Sequence, residues 1–365
     1  AAASCPCSLP PRAPARCRLV PLAAVVGTLH VSPQCAKINT AVFSVRSAAQ
    51  PSVSGAGTAA GWFANGPSDR PAAGNPRTQV LLAGHARAGR FGLASGKGLS
   101  FPYFYLDNSA TTRPCAEAVD KITELLTVCW GNPSSLHGLG FAAEQELSAA
   151  RRAVARSLSC TPEEIFFTSG GTESDNLAIF GAAHARQKRG RHVVTTRIEH
   201  PAVLNTMAEL EREGFEVTYL APDEWGHIAP ESVKSAVRPD TILVSLMAVN
   251  NEVGTILPVQ AAREAIAEQN APALLHVDAV QAYGKLPLAP ARQGIDLLTI
   301  SGHKIHGPKG VGALYVKKGV HLAPRVFGGG QESNVRPGTE GLPLIAGFGA
   351  AVAALPDLAA EEESI

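Results

Sequence analysis

Lys304 stands where an apolar run stops. The stretch 295–316, IDLLTISGHKIHGPKGVGALYV, reads as two buried strands joined by a loop carrying Ser301, His303 and Lys304. A lysine held at a strand's carboxyl end and partly out of water has a lowered pKa and can form a Schiff base. A surface lysine on a tight turn is the simpler reading of this stretch alone. Three more segments carry a similar ambiguity. Ser169-Gly170-Gly171-Thr172 follows a strand and opens a helix, so free N–H groups and the helix dipole could hold a phosphate, with Thr172 adding a hydroxyl. No Gly-Lys-Ser/Thr follows, which excludes a nucleotide-type phosphate loop, and an ordinary capped helix start would look the same. Asp278, in HVDAVQ, ends another apolar run, where a carboxylate suits a cation, a metal, a protonated ring nitrogen or a helix cap. His200 precedes a proline-led helix in EHPAVL, where capping or core packing also explains it. Asn250-Asn251 is a polar turn after an apolar strand.

These residues need a scaffold that brings strand ends together. Apolar spacing predicts helices over 115–130 and about 140–158, the first through Val119, Ile122, Leu125, Leu126 and Cys129. Tyr103–Asp107 is strand-like, and Thr161-Pro-Glu-Glu164 is a cap leading into a strand at 165–168. Strands then alternate with helices: strands at 192–196, 216–220, 241–247, 273–277, 295–300 and 312–316, helices at 202–213, 230–237 and 259–269. The alternation specifies an α/β fold, a mostly parallel sheet with helices on both faces. In such sheets ligands sit outside the carboxyl ends of the strands. Residues 344–355 form a final apolar helix before an acidic run ending at Ile365.

With 365 residues, 45% of them hydrophobic, the chain can bury a large core. Its net charge of +1 argues against a nucleic-acid or membrane-surface role for the whole. Residues 1–100 hold one acidic residue, Asp69, against ten basic ones, leaving 30 acidic and 22 basic residues in the remainder. That segment is rich in Ala, Gly, Ser, Pro and Arg, which predicts disorder and matches an organellar transit peptide, of mitochondrion or plastid. Cys5, Cys7, Cys17 and Cys35 lie in this leader; Cys115, Cys129 and Cys160 are scattered through the body without metal-type spacing, which suits a reducing compartment. No apolar run reaches the roughly 18 residues of a membrane span.

A phosphate cradle, an acid, a histidine and a lysine, each at a strand end of one sheet, match the needs of pyridoxal phosphate. Here the chain resembles the fold-type I pyridoxal-phosphate enzymes of the class V aminotransferase group, and within it the cysteine desulfurases of the NifS/IscS kind. The segments that carry the likeness are YLDNSATT (105–112), GNPSSLHGLG (131–140), FTSGGTESDNLAI (167–179), EHPAVL (199–204), NNEVG (250–254), HVDAVQAYGK (276–285), SGHKIHGPKGVGALYV (301–316) and GGGQESNVRPGTE (328–340). The resemblance implies a large cofactor domain over 119–350 and a small α/β domain, begun by 101–118 and by 351–365. It makes Lys304 the Schiff-base lysine and the base that moves the substrate's α-proton. Asp278 becomes the partner of the pyridinium nitrogen and His200 the ring-stacking histidine, counted with Lys304 as catalytic. Gln281 and Asn251 fall near the cofactor's phenolic oxygen, and Gly171, Thr172, Ser301 and His303 on the phosphate. Thr339 corresponds to a threonine that reaches the phosphate of a neighbouring subunit, which implies a homodimer.

The implied reaction converts L-cysteine to alanine and passes sulfur to an acceptor or scaffold protein, for Fe–S cluster or thio-cofactor synthesis. In the family the sulfur-accepting cysteine and a substrate-binding arginine lie well downstream of the lysine. The chain therefore reads as truncated at its carboxyl end, able to bind the cofactor but not to desulfurate cysteine at an enzyme-like rate. Selenocysteine lyase shares the motifs, and a second alternative is a non-catalytic subunit of the same fold.

Overall fold

The computed structural model describes residues 105–356. The expected leader, its four cysteines, Tyr103 and Phe104, and the acidic carboxyl-terminal run lie outside that range. Seven strands form one mixed sheet: β1 (Ile165–Thr168), β2 (His192–Thr196), β3 (Glu216–Leu220), β4 (Thr241–Met247), β5 (Leu274–Asp278), β6 (Leu297–Ser301) and β7 (Gly312–Val316). Their order is β1-β7-β6-β5-β4-β2-β3. Every neighbouring pair is parallel except those involving β7, which runs against both β1 and β6. The connection from β6 to β7, residues 302–311, holds one 3-10 turn and no crossover α-helix, and that step reverses direction while the helix-linked steps do not.

The helices are α1 (Ala116–Thr127), α2 (Gly138–Ser157), α3 (Gly171–Arg186), α4 (Pro201–Arg212), α5 (Pro230–Ala236), α6 (Val259–Glu268), α7 (Pro290–Gln293) and α8 (Leu342–Ala353). Two apolar clusters cover the two faces. Val194, Val244, Leu275 and Leu298 point into the one built with α1, α2, α5, α6 and α8. Their chain neighbours Val193, Leu243, Leu274 and Leu297 point into the one built with α3 and α4. Alternation along each strand thus fills both layers, and β4, β5 and β6 are buried throughout.

Local chemistry sets the boundaries. The Nδ1 of His137 accepts the Gly140 N–H at 3.2 Å and starts α2. Thr161 and Glu164 form a reciprocal capping box before β1. Proline at the first position opens α4 and α5. One expectation fails: residues 105–107 form no strand. The Ala110 N–H returns to the Asp107 carbonyl at 3.1 Å, and the Tyr105 hydroxyl donates to the Thr111 carbonyl at 2.9 Å. This segment folds as a turn over the Lys304 loop.

Candidate functional site

The carboxyl ends of β4, β5 and β6 open into a cleft of about 400 Å³. Nine of the ten residues singled out in the sequence line it: Gly171, Thr172, His200, Asn251, Asp278, Gln281, Ser301, His303 and Lys304. Thr339 does not. It lines a separate hollow of about 180 Å³ beside Glu332, Arg336 and Glu340.

Lys304 closes a 3-10 turn (Gly302–Lys304) directly after β6. Its ammonium donates to the carbonyls of Ser109 and Ala110, the latter at 2.9 Å. Burial pulls its pKa down, opposed by the charges of Asp107, Asp278 and Glu252. The loop 107–112 is stitched to the lysine turn by backbone and side chain alike. The Thr112 N–H and hydroxyl both donate to the His303 carbonyl, at 2.8 and 2.9 Å. The His303 Nδ1 lies 3.1 Å from the Thr111 hydroxyl. Gln281 joins the same loop, its amide donating to the Ser109 carbonyl at 2.9 Å, while Lys285 donates back to its side-chain oxygen at 3.3 Å.

Asp278 ends β5 and is buried, with one carboxylate oxygen accepting the Val280 N–H at 2.9 Å. Burial raises its pKa; that bond and the charges of His200 and Lys304 work the other way. A cation brought against it would favour its ionised form. His200 caps α4, its Nδ1 accepting the Ala202 N–H at 3.1 Å, so the bland reading of this residue holds as well as its place in the cleft. Asn250 is buried structure, donating to the Ile198 carbonyl at 2.8 Å, whereas Asn251 faces the cleft.

At the other side of the cleft, α3 begins at Gly170, whose φ of +151° leaves the region that side chains tolerate. A Cβ on Gly171 would stand 2.9 Å from Cγ2 of Val280, so the helix start packs directly against the Asp278 loop. The first-turn N–H groups of this 16-residue helix have no carbonyl partner within it and point outward from its end. The Ser169 N–H is engaged elsewhere, by Glu173 at 2.5 Å, and Glu173 is itself held by Arg336 at 3.0 Å.

Sequence reasoning missed several cleft residues: Asp107, Ser109 and Ala110, of which the last two hold the lysine through their carbonyls, and Asp175, which lines the cleft from α3. Cys115, Cys129 and Cys160 do not line the cleft. Burial pushes the Cys160 thiol up to about 12, with Glu164 adding to it, which suppresses thiolate and agrees with a structural role.

With this geometry in place, comparison assigns the class. The chain belongs to the aminotransferase class-V family, whose profile matches residues 104–363. It is 48% identical over 247 residues to a cysteine desulfurase IscS of Methanosarcina thermophila, covering 68% of this chain and 61% of that protein. It is 46% identical over 248 residues to a protein named putative cysteine desulfurase IscS 1 of Bacillus subtilis, covering 68% and 65%. Among solved structures, a NifS-like protein matches with a TM-score of 0.67 at 43% identity, covering 71% of this chain and 70% of that one. A structure described as SspA in complex with cysteine matches at 0.66 and 39%, covering 72% and 76%. The chain spans somewhat under two thirds of the length of these curated relatives.

Proposed function

We propose that this chain carries the pyridoxal 5'-phosphate site of a cysteine desulfurase. The reaction is L-cysteine plus an acceptor thiol giving L-alanine plus the acceptor persulfide. The C–S bond breaks, an S–S bond forms, and the Cβ that loses sulfur ends as the methyl of alanine. The single observation that carries the reading is convergence: Lys304, Asp278, His200 and the start of α3 meet in one cleft of suitable size. The relatives named cysteine desulfurase and the neighbour solved with cysteine support the substrate class.

The residues present fit the cofactor. The start of α3 with Thr172, Ser301 and His303 would hold the phosphate. Asp278 would face the ring nitrogen, His200 would stack on the ring, and Gln281 and Asn251 would reach its oxygen. When bound, the cofactor supplies an electron sink and a Schiff-base carbonyl. Everything else falls to the chain. Lys304, half-buried and with its pKa lowered by burial, attaches the cofactor, then as free amine takes the proton from the substrate Cα and returns one. The loop 107–112 holds Lys304 through two carbonyls, so it must release the amine for either task. Among the described residues no cysteine lines the cleft.

Thr339, turned away from its own cleft, supports a homodimer in which it serves the neighbouring site. The acid-poor leader supports an organellar address. The test follows L-cysteine by NMR in deuterium oxide with the full chain and pyridoxal phosphate. Wild type exchanges the Cα hydrogen, Lys304→Ala does not, and alanine appears once a dithiol is added. Exchange that is unaltered in Lys304→Ala, or a wild type that binds no cofactor, would contradict the proposal. Selenocysteine lyase predicts alanine from selenocysteine and little from cysteine in the same tube.

A further inference from the structure

Three carboxyl groups lie behind the cleft, and the reading above uses one of them. Asp278, Asp175 and Glu199 are 5%, 1% and 4% exposed. They reach this region from β5, α3 and the junction of β2 with α4. Among the described residues Asp175 Oδ1 and Glu199 Oε2 have no hydrogen-bond partner, and Asp175 lines the cleft wall. The other oxygen of Glu199 is well placed: it accepts the Thr196 hydroxyl at 2.7 Å and the Met247 N–H at 3.0 Å. Met247 is the register partner of Asp278 across β4 and β5, so the Glu199 contact is one strand away from that acid.

Among the described residues no cation sits between the three carboxyls. The basic group beside Asp175 is His276, whose Nε2 is 3.6 Å from Asp175 Oδ1. Its two ring nitrogens lie 2.8 Å from the Ser245 hydroxyl and 3.1 Å from the Thr299 hydroxyl. Burial drives the pKa of that imidazole down to about 3, so it is neutral at physiological pH. His200 and Lys304 act on Asp278 alone, from the cleft side. Three buried like charges without a counter-ion among them cannot all form, because each would add an uncompensated desolvation cost. Asp278 has what the others lack, two basic groups facing it, and combines them with an N–H donor from Val280 and an opening to the cleft.

We propose that Asp175 and Glu199 are positioning residues kept as neutral carboxyl groups, so that the set's one negative charge rests on Asp278 beneath the cofactor's ring nitrogen. This rests on the cofactor assignment made above. The site therefore selects a protonated ring nitrogen and presents it with one anion rather than a diffuse acidic wall. Glu199 has a second part in this, since it is bonded to His200 along the chain and pins that junction to β4. The electrostatics agree with the geometry. Burial first, then the charge of Asp278, push the Asp175 carboxyl up, and burial takes Glu199 to about 8.

Difference infrared spectroscopy on the cofactor-free full chain reads protonated carboxyls through their C=O stretch. At pH 7 the band is present, Glu199→Gln and Asp175→Asn each remove part of it, and in wild type the Glu199 part titrates away as the pH passes about 8. Pyridoxal phosphate binding is measured beside it: Glu199→Gln stays within about threefold of wild type, while Glu199→Ala weakens binding roughly tenfold or more through loss of the His200 anchor. A band unchanged in both amide variants overturns the proposal, as does a Glu199→Gln chain that binds as poorly as Glu199→Ala. Should an alanine variant not fold, the wild-type titration still decides. A wild type that binds no pyridoxal phosphate defeats the cofactor assignment instead, and leaves the infrared result standing.

Discussion

The two ends of the same strands treat charge in opposite ways. At the amino ends of β2, β3 and β4, Arg238 forms a bidentate pair with Glu216 at 2.6 and 2.8 Å and a second with Asp240 at 3.0 Å. These side chains are 37%, 64% and 55% exposed. Arg238 holds both acids below their usual range. At the carboxyl ends, Asp278, Asp175 and Glu199 are buried, lack a cation among them, and are pushed upward. The first arrangement is compensated and wet, which makes it cheap and of small net value. The second is costly, and a fold keeps such a cost where a ligand repays it. The sheet is thus polar in function as well as direction.

That contrast can be broken at either end. The largest effect belongs to Lys304→Ala, which removes the attachment point and the base together. Exchange of the cysteine Cα hydrogen should fall by about a thousandfold or more. Next, Asp278→Asn should cost about 3 kcal/mol of pyridoxal phosphate binding, roughly a hundredfold, measured by equilibrium titration.

Glu199→Gln should change pH dependence rather than neutral-pH binding. The folded pKa of Glu199, about 8, lies above its reference value of 4.5. Its contribution is therefore complete below the lower value, is lost as pH rises towards about 8, and is constant above that. The unfolding free energy of wild type should fall across this window by about 4 kcal/mol more than that of Glu199→Gln, the order set by the shift from 4.5 to about 8. At the other end of the strands, Arg238→Ala should cost under about 1 kcal/mol of unfolding free energy, and less in high salt. An Arg238→Ala loss as large as that of Asp278→Asn would erase the distinction between the two ends.

The legible part of the fold was the part dictated by local pattern. Strands β1, β2, β3, β4 and β7 begin and end where alternating or apolar runs begin and end, and β5 and β6 are displaced by one or two residues. The strand-end chemistry followed, because Lys304, Asp278 and the Gly170-Gly171 turn each sit where such a run stops. Asp107, Ser109 and Ala110 were not singled out, since the run leading into Asp107 reads as a strand and nothing local says that residues 105–107 turn back over the Lys304 loop. Asp175 and Glu199 escaped for a different reason. An acid reads as exposed until the elements that bury it are in place, and these are buried by neighbours 48 to 124 residues away, such as Met247 and Thr299. The one hint was that α3 buries most of its length, which leaves Asp175 no wet face to occupy.

The central claim is that Lys304 is the residue the cofactor attaches to. Lys285 makes a fair control, being nearby and also shifted downward, by burial and by the charge of Lys304. The full chain is incubated with pyridoxal phosphate, reduced with borohydride and digested, and the labelled peptide is identified by mass spectrometry. The account predicts a single stoichiometric label on Lys304. A label on Lys285, or a label scattered over surface lysines with Lys304 unmodified, would contradict it.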